Sequence, residues 1–105
     1  MVYRDYQGLQ IRLTDERLRH ILRRHSYLVG MERVIPETLE TPEEVRRSTS
    51  DPSHVILYYR WYTGIRIGDK YMCVVVRMLE EDAFVITAYM TDRIKQGEAI
   101  WSTRR

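Results

Sequence analysis

Residues 54–91 read HVILYYRWYTGIRIGDKYMCVVVRMLEEDAFVITAYMT and decide the fold. Three runs within this stretch, 54–63, 70–79 and 83–91, are rich in aromatic and β-branched residues and predict strands. The segments between them, GIRIGD and EEDA, are too short for a crossover connection, so consecutive strands must run antiparallel. The stretch therefore predicts three neighbouring strands of an antiparallel sheet.

Alternation of side chains along each strand divides the predicted sheet into two faces. In strand 83–91 the first face receives Phe84, Ile86, Ala88 and Met90, and the second receives Val85, Thr87, Tyr89 and Thr91. In strand 54–63 the alternation opposes Val55, Leu57, Tyr59 and Trp61 to Ile56, Tyr58, Arg60 and Tyr62. One face is fairly apolar, whereas the other carries Tyr, Arg and Thr side chains. That polar face is either solvated or a shallow groove, and the pattern leaves both interpretations open.

The segment before these strands, residues 9–30, predicts a short strand followed by a helix. Apolar and polar residues alternate over 9–14, and Thr14 is a suitable N-cap for a helix with acidic residues in its first turn. An apolar stripe at helical spacing is formed by Leu18, Ile21, Leu22 and His25. We expect Gly30 to end or bend the helix. The sheet residues expected to pack against the stripe are Val74, Val76, Ile86 and Ala88, or their neighbours.

The remaining segments predict shorter elements. A second helical segment is expected around Met31–Glu40, and Thr41-Pro42-Glu43-Glu44 forms a capping box that predicts a brief helical turn through Val45 to Arg47. Residues 92–101 are either a last short helix or an edge segment, with Trp101 expected to cap the core. The predicted fold is α+β: N-terminal helices packed on one antiparallel sheet of about four strands.

Length and composition limit the possible functions. A chain of 105 residues forms one domain, assigned to residues 1–105, and its formal charge of +2 is too small to imply nucleic acid by itself. No apolar run approaches the length that crosses a bilayer, and the start of the chain lacks the pattern of a signal peptide. We therefore expect a cytoplasmic protein without membrane contact. The single cysteine, Cys73, lies in an apolar run and is expected to be a small core residue.

The first helix carries two histidines among four arginines between residues 17 and 25. On a regular helix, His20 and His25 would point about 140° apart and could not reach one substrate atom. Their spacing is also unlike that of helical metal ligands, so no metal site or cofactor is predicted. The negative end of the helix would stabilise protonated His25, which suits acid–base chemistry, although a structural or surface histidine remains the alternative. His54 opens a strand and has no such setting.

Five segments together resemble a known group of small domains: LTDERLRHILRRHSYL, IPETLETPEEVRRS, YYRW, YMCVVVRM and FVITAYMTDRIKQGEAIW. The group unites barnase, EndoU, the tRNA-cleaving colicins and RelE, abbreviated BECR, and includes phage-borne and prokaryotic members. The resemblance covers Thr14 to Trp101. It implies a metal-independent, toxin-like endoribonuclease on an α+β fold. The catalytic residues that it implies are His25, with His20 second, Arg60, Thr87 and Tyr89.

Such an enzyme cleaves RNA by transesterification through the ribose 2′-hydroxyl, which needs a proton acceptor, a proton donor and fixed positive charge. The residues predicted to bind RNA are Arg23, Arg24, Tyr58, Tyr62 and Lys95. The tyrosines could stack on bases or simply cover the sheet. Single-stranded RNA, tRNA or mRNA is the expected partner, together with a possible protein inhibitor. Two rivals remain: a non-catalytic RNA- or ribosome-binding module, and a protein-interaction domain with an exposed aromatic patch.

Overall fold

A computed structural model describes residues 1–95 and 97–103. Over these residues the chain forms an α+β fold in which helices pack on a single sheet, as predicted. The helices are α1 (Asp15–Arg24), a 3₁₀ helix (Ser26–Leu28) and α2 (Val34–Glu40). The strands are β1 (Val2–Arg4), β2 (Gln10–Arg12), β3 (Glu44–Arg47), β4 (Val55–Tyr62), β5 (Lys70–Leu79), β6 (Asp82–Thr91) and β7 (Ala99–Ser102).

The sheet is larger than predicted. Across the described residues it has seven strands in the order β1-β2-β6-β5-β4-β3-β7, rather than about four. The three long strands β4, β5 and β6 pair antiparallel in sequence order, which confirms the reading of residues 54–91. One pair is parallel: β2 meets β6 at Arg12 and Phe84. This parallel pair is possible because the intervening chain, including both helices, crosses over between the two strands.

The predicted helical turn at Val45–Arg47 is wrong, because these residues belong to strand β3. Strand β3 pairs with β4 on one side and with β7 on the other, so both of its edges are hydrogen-bonded. Val45 is buried, and the buried Glu44 carboxylate accepts a hydrogen bond from Arg46 Nε at 2.8 Å. Pairing on both edges satisfies more backbone groups than one isolated helical turn could, so it overrides the local capping signal.

The last segment forms an edge strand, β7, and this was one of the two alternatives. Trp101 does not cap the core, because its side chain is 42% exposed. Its ring instead contacts Tyr6, with 5.2 Å between ring centroids. Tyr6 follows β1, the strand at the opposite end of the sheet order. The two ends of the sheet therefore approach each other.

The first helix begins where it was predicted and ends earlier. The Thr14 side chain accepts a hydrogen bond from the Arg17 backbone N–H at 3.1 Å, which confirms the N-cap. The helix ends at Arg24 rather than near Gly30, and His25 is its C-cap, with φ −131° and ψ 67°. The 3₁₀ helix that follows buries Leu28 completely. Burial of this side chain against the sheet turns the chain out of the helical path.

Both helices cover one face of the sheet. The core between them is formed by Ile11, Leu13, Ile21, Leu28, Val34, Ile35, Leu39, Val45, Ile56, Tyr58, Met72, Val74, Val76, Ala83, Val85 and Ala88. The predicted stripe Leu18, Ile21 and Leu22 packs in this core, of which Ile21 is fully buried. In the core, the position predicted for Ile86 is occupied by its neighbour Val85. A bulge in β6 lets Val75 pair with Thr87 and Val76 with Val85, which inverts the side-chain alternation before Thr87.

A second, smaller cluster lies on the other face of the sheet. Leu57, Tyr59 and Cys73 are buried there, and Ile94, from the segment between β6 and β7, packs against them. Cys73 is fully buried, as expected of a core residue, and burial raises the pKa of its thiol to about 11. In the described part of the chain, no helix has the length and apolar character needed to cross a bilayer.

Candidate functional site

A groove lies between α1 and the second half of strand β6. Strand β2 pairs with β6 only near its beginning, at Phe84, so β6 has no described strand beside residues 87–91 on that side. Helix α1 and the 3₁₀ helix occupy this position instead, and the Tyr27 hydroxyl accepts a hydrogen bond from the Met90 backbone N–H at 3.0 Å. The groove has a volume of about 480 Å³, which is in the range of ligand-binding clefts.

The groove brings together half of the ten residues that the sequence nominated. Its lining consists of Arg17, His20, Arg24, His25, Ile86, Thr87 and Tyr89. Five of these, all except Arg17 and Ile86, were predicted site residues. Arg17 was not nominated, although its spacing of three from His20 and seven from Arg24 places all three on one helix face. Arg23 lines an adjoining depression of about 340 Å³, which shares Arg17 and His20 with the groove.

Both histidines line the groove, although the sequence predicted that they point about 140° apart. The 140° angle assumed a regular helix through His25, whereas α1 ends at Arg24 and His25 occupies the cap. The extended φ of the cap residue carries the imidazole of His25 away from its helical direction. His20 and His25 therefore line the same groove, from the helix side and from the cap respectively.

The His25 imidazole is held between two tyrosine rings. Its Nδ1 lies 3.3 Å from the Tyr27 hydroxyl, and its ring centroid lies 5.8 Å from that of Tyr27 and 5.9 Å from that of Tyr89. Partial burial lowers the pKa of His25, and the positive charges of Arg24 and His20 lower it further. The sequence predicted stabilisation of the protonated form by the helix C-terminus. That prediction is wrong, because the pKa of His25 is lowered and not raised, so neutral pH favours the uncharged ring.

Behind the groove, Tyr89 belongs to a polar cluster with Lys95, Cys73 and Tyr59. The Lys95 Nζ lies 5.4 Å from the Tyr89 ring centroid, and a hydrogen bond to the Tyr89 hydroxyl raises the pKa of the ammonium group. The Lys95 backbone N–H donates to the Tyr59 hydroxyl at 3.1 Å. Burial is the main cause that raises the pKa of Tyr89. Lys95 thus contacts Tyr89 rather than lining the groove.

Arg60 does not join the groove, although the sequence placed it in the site. Cross-strand pairing aligns Arg60 with Met72 and then with Met90, both of which pack in the core beneath the helices. Its guanidinium donates to the carbonyl oxygen of Thr41 at 3.3 Å and also contacts the Thr41 hydroxyl. Arg60 therefore belongs to the face opposite Tyr89, because Tyr89 pairs with Cys73 in the other cluster.

The two remaining predicted RNA contacts, Tyr58 and Tyr62, also lie on the helix-covered face. Tyr58 is 1% exposed and its hydroxyl donates to the Asp5 carboxylate at 2.7 Å. The Tyr62 hydroxyl donates to Glu37 at 2.8 Å, and partial burial raises the pKa of Tyr62 to about 12. Neither ring is available for stacking on a base in the groove. The packing supports the alternative that these tyrosines cover the sheet.

No group of three or more His, Cys, Asp or Glu side chains that could hold a metal ion occurs within residues 1–95 and 97–103. His54 Nδ1 pairs with Asp51 at 3.1 Å on an exposed turn, and His54 is not among the residues that line the groove.

Comparisons with protein-family models, with curated proteins and with solved structures find no match for this chain.

The lowered pKa of His25 makes the stability of the fold depend on pH. In the unfolded chain this histidine has an ordinary pKa near 6.5, so between the folded and unfolded values the unfolded chain binds more protons. The contribution of uncharged His25 to the stability of the fold is complete above pH 6.5. It is lost as the pH falls through the lower pKa that His25 has in the folded protein. We expect the melting temperature to fall on acidification, and to fall less for His25→Asn. The melting temperatures of both proteins are measured over the same pH range. An equal fall in the parent and in His25→Asn would refute this assignment.

Proposed function

We propose that the protein is a metal-independent endoribonuclease whose reaction takes place in the groove between α1 and β6. The observation that carries the proposal is the convergence of two histidines and two arginines, His20, His25, Arg17 and Arg24, on one groove. Histidines exchange protons near neutral pH, and arginines bind phosphate oxygens with two parallel hydrogen bonds. The resemblance to the BECR group supports the same reaction class.

The reaction needs no bound cofactor, because the nucleophile belongs to the substrate. A base removes the proton of a ribose 2′-hydroxyl, and the oxygen attacks the adjacent phosphorus while the bond from phosphorus to the 5′-oxygen breaks. An acid protonates the departing 5′-oxygen. The products are a 2′,3′-cyclic phosphate and a 5′-hydroxyl. His25 suits the role of base, since its lowered pKa keeps it uncharged at neutral pH, and His20 is the second histidine available as acid.

Positive charge in the groove would stabilise the phosphate as negative charge builds up in the transition state. Arg17 and Arg24 line the groove together with His20 and His25, whereas Arg60, the phosphate ligand expected from the sequence, lies on the other face of the sheet. We therefore propose Arg24 and Arg17, in place of Arg60, as the residues that bind the phosphate. The Thr87 hydroxyl and the Tyr89 ring complete the lining and are available for a phosphate oxygen and a base, respectively.

The direct test is cleavage of a mixed single-stranded RNA pool by purified protein in the presence of a chelator. We expect cleavage to continue at an unchanged rate and to leave 2′,3′-cyclic phosphate ends, identified by mass spectrometry. Loss of activity on chelation would overturn metal independence. Salt-dependent RNA binding without any cleavage would favour a binding module, and the absence of both would favour a protein-interaction domain.

A pair of arginine variants tests the location of the site. Arg24→Gln removes a charge that lines the groove, and Arg60→Gln removes the same charge from the face covered by the helices. We expect Arg24→Gln to weaken RNA binding and cleavage at least tenfold, as loss of a charged hydrogen bond of about 1.5–3 kcal/mol would. Arg60→Gln should cleave at nearly the parent rate. The reverse order would place the phosphate on the other face.

A further inference from the structure

We propose that Tyr27 is a positioning residue for His25, and that it holds the proton of the imidazole on Nδ1 so that Nε2 is the nitrogen that reacts. The inference deepens the proposed function and rests on it. The Tyr27 hydroxyl lies 3.3 Å from Nδ1 of His25, on the side of the ring that carries this nitrogen. Tyr27 does not line the groove and was not among the residues that the sequence nominated.

The position of the Tyr27 hydroxyl is determined by contacts on both sides of the residue. Its oxygen accepts a hydrogen bond from the Met90 backbone N–H at 3.0 Å, which ties it to strand β6. The carbonyl oxygen of Tyr27 accepts a hydrogen bond from Arg66 at 3.3 Å, which ties its backbone to the loop between β4 and β5. These contacts anchor the Tyr27 oxygen that faces His25 to the sheet. A flexible hydroxyl on the surface would have no such fixed position.

The course of the proton explains why this contact bears on the reaction. If His25 removes the 2′-hydroxyl proton with Nε2, then Nδ1 must carry a proton before and after the transfer. An Nδ1–H that faces Tyr27 needs an acceptor there, and the hydroxyl oxygen has two lone pairs, so it can accept from Nδ1 as well as from the Met90 N–H. The same bond persists when the ring becomes an imidazolium, since Nδ1 remains a donor. The partner of one ring nitrogen thereby sets the chemistry of the other.

Nuclear magnetic resonance of the histidine ring nitrogens tests the proposal without measuring catalysis. At a pH where the ring is neutral, we expect the parent protein to carry the His25 proton on Nδ1, and His25→Asn identifies the signal. Free histidine favours the proton on Nε2, so Tyr27→Phe should move His25 toward that form while keeping the aromatic ring. Tyr3→Phe is the matched control, because the Tyr3 hydroxyl donates to the Met1 sulfur and not to a histidine.

Two outcomes would overturn the proposal: a parent protein with the His25 proton on Nε2, or a Tyr27→Phe protein with an unchanged proton position. The proton position in the parent protein is measured without any variant. The proposal can therefore be refuted even if Tyr27→Phe does not fold. In the cleavage assay we expect Tyr27→Phe to lower kcat by about 10- to 100-fold with little change in KM, as is usual for partners that orient a histidine. A protein that cleaves no RNA but shows the expected proton shift would refute the nuclease and retain the Tyr27–His25 contact.

Discussion

Replacement of His25 by asparagine is expected to slow RNA cleavage by about 10²- to 10⁴-fold, the usual contribution of a general acid or base. Asparagine retains a polar side chain at the C-cap but cannot exchange a proton near neutral pH. The residue is only partly buried, so the melting temperature above pH 6.5 should stay near that of the parent. Rates of cleavage of a short RNA, measured with matched protein concentrations, provide the comparison.

His54→Asn is the matched control for this variant. His54 pairs with Asp51 on an exposed turn and is absent from the groove lining, so its replacement should leave cleavage unchanged. His20→Asn is expected to slow cleavage as strongly as His25→Asn if the two histidines act as a pair. Thr87→Val should have a smaller effect. Cleavage by His25→Asn at the parent rate would remove the catalytic interpretation and leave RNA binding in its place.

The long strands were predictable because their signal is local. Strands β4, β5 and β6 consist of apolar and β-branched runs separated by short turns, and antiparallel pairing follows from the turn lengths alone. The cap of α1 at Thr14 was predictable for the same reason. Strands β1, β3 and β7, in contrast, are only three or four residues long. They exist because distant segments pair with them, which no local pattern records.

Part of the candidate site could be predicted from residue types, whereas its geometry could not. His20, His25, Thr87 and Tyr89 line one groove. The assumption of a regular helix hid how the two histidines come to line it. The prediction placed Arg60 on the same polar face of the sheet as Thr87 and Tyr89, because all three are polar residues in strands. Arg60 lies on the opposite face, which the helices cover. Its guanidinium instead reaches past the sheet to Thr41 at the end of α2, a contact that depends on tertiary packing.

A buried carboxylate that the sequence did not single out links the turn after β1 to strand β4. Asp5 is 6% exposed and lies after β1, yet it accepts a hydrogen bond from Tyr58 on β4, and three strands lie between β1 and β4 in the sheet order. Its other oxygen accepts hydrogen bonds from the backbone N–H groups of Gln7 and Leu9, both at 2.9 Å. Asp5 thus joins the turn between β1 and β2 to the centre of the sheet.

Asp5→Ala is accordingly expected to lower the free energy of unfolding by about 3 kcal/mol, because it leaves three donors without their acceptor in a largely buried place. Urea denaturation measures the change. Tyr58→Phe should cost less, since it removes one of the three hydrogen bonds and keeps the ring, and the two changes together should be less than additive. Asp82→Ala removes an exposed carboxylate that pairs with Arg12 and should remain close to the parent. Equal effects of Asp5→Ala and Asp82→Ala would mean that the buried carboxylate does not stabilise the fold by joining the β1–β2 turn to strand β4.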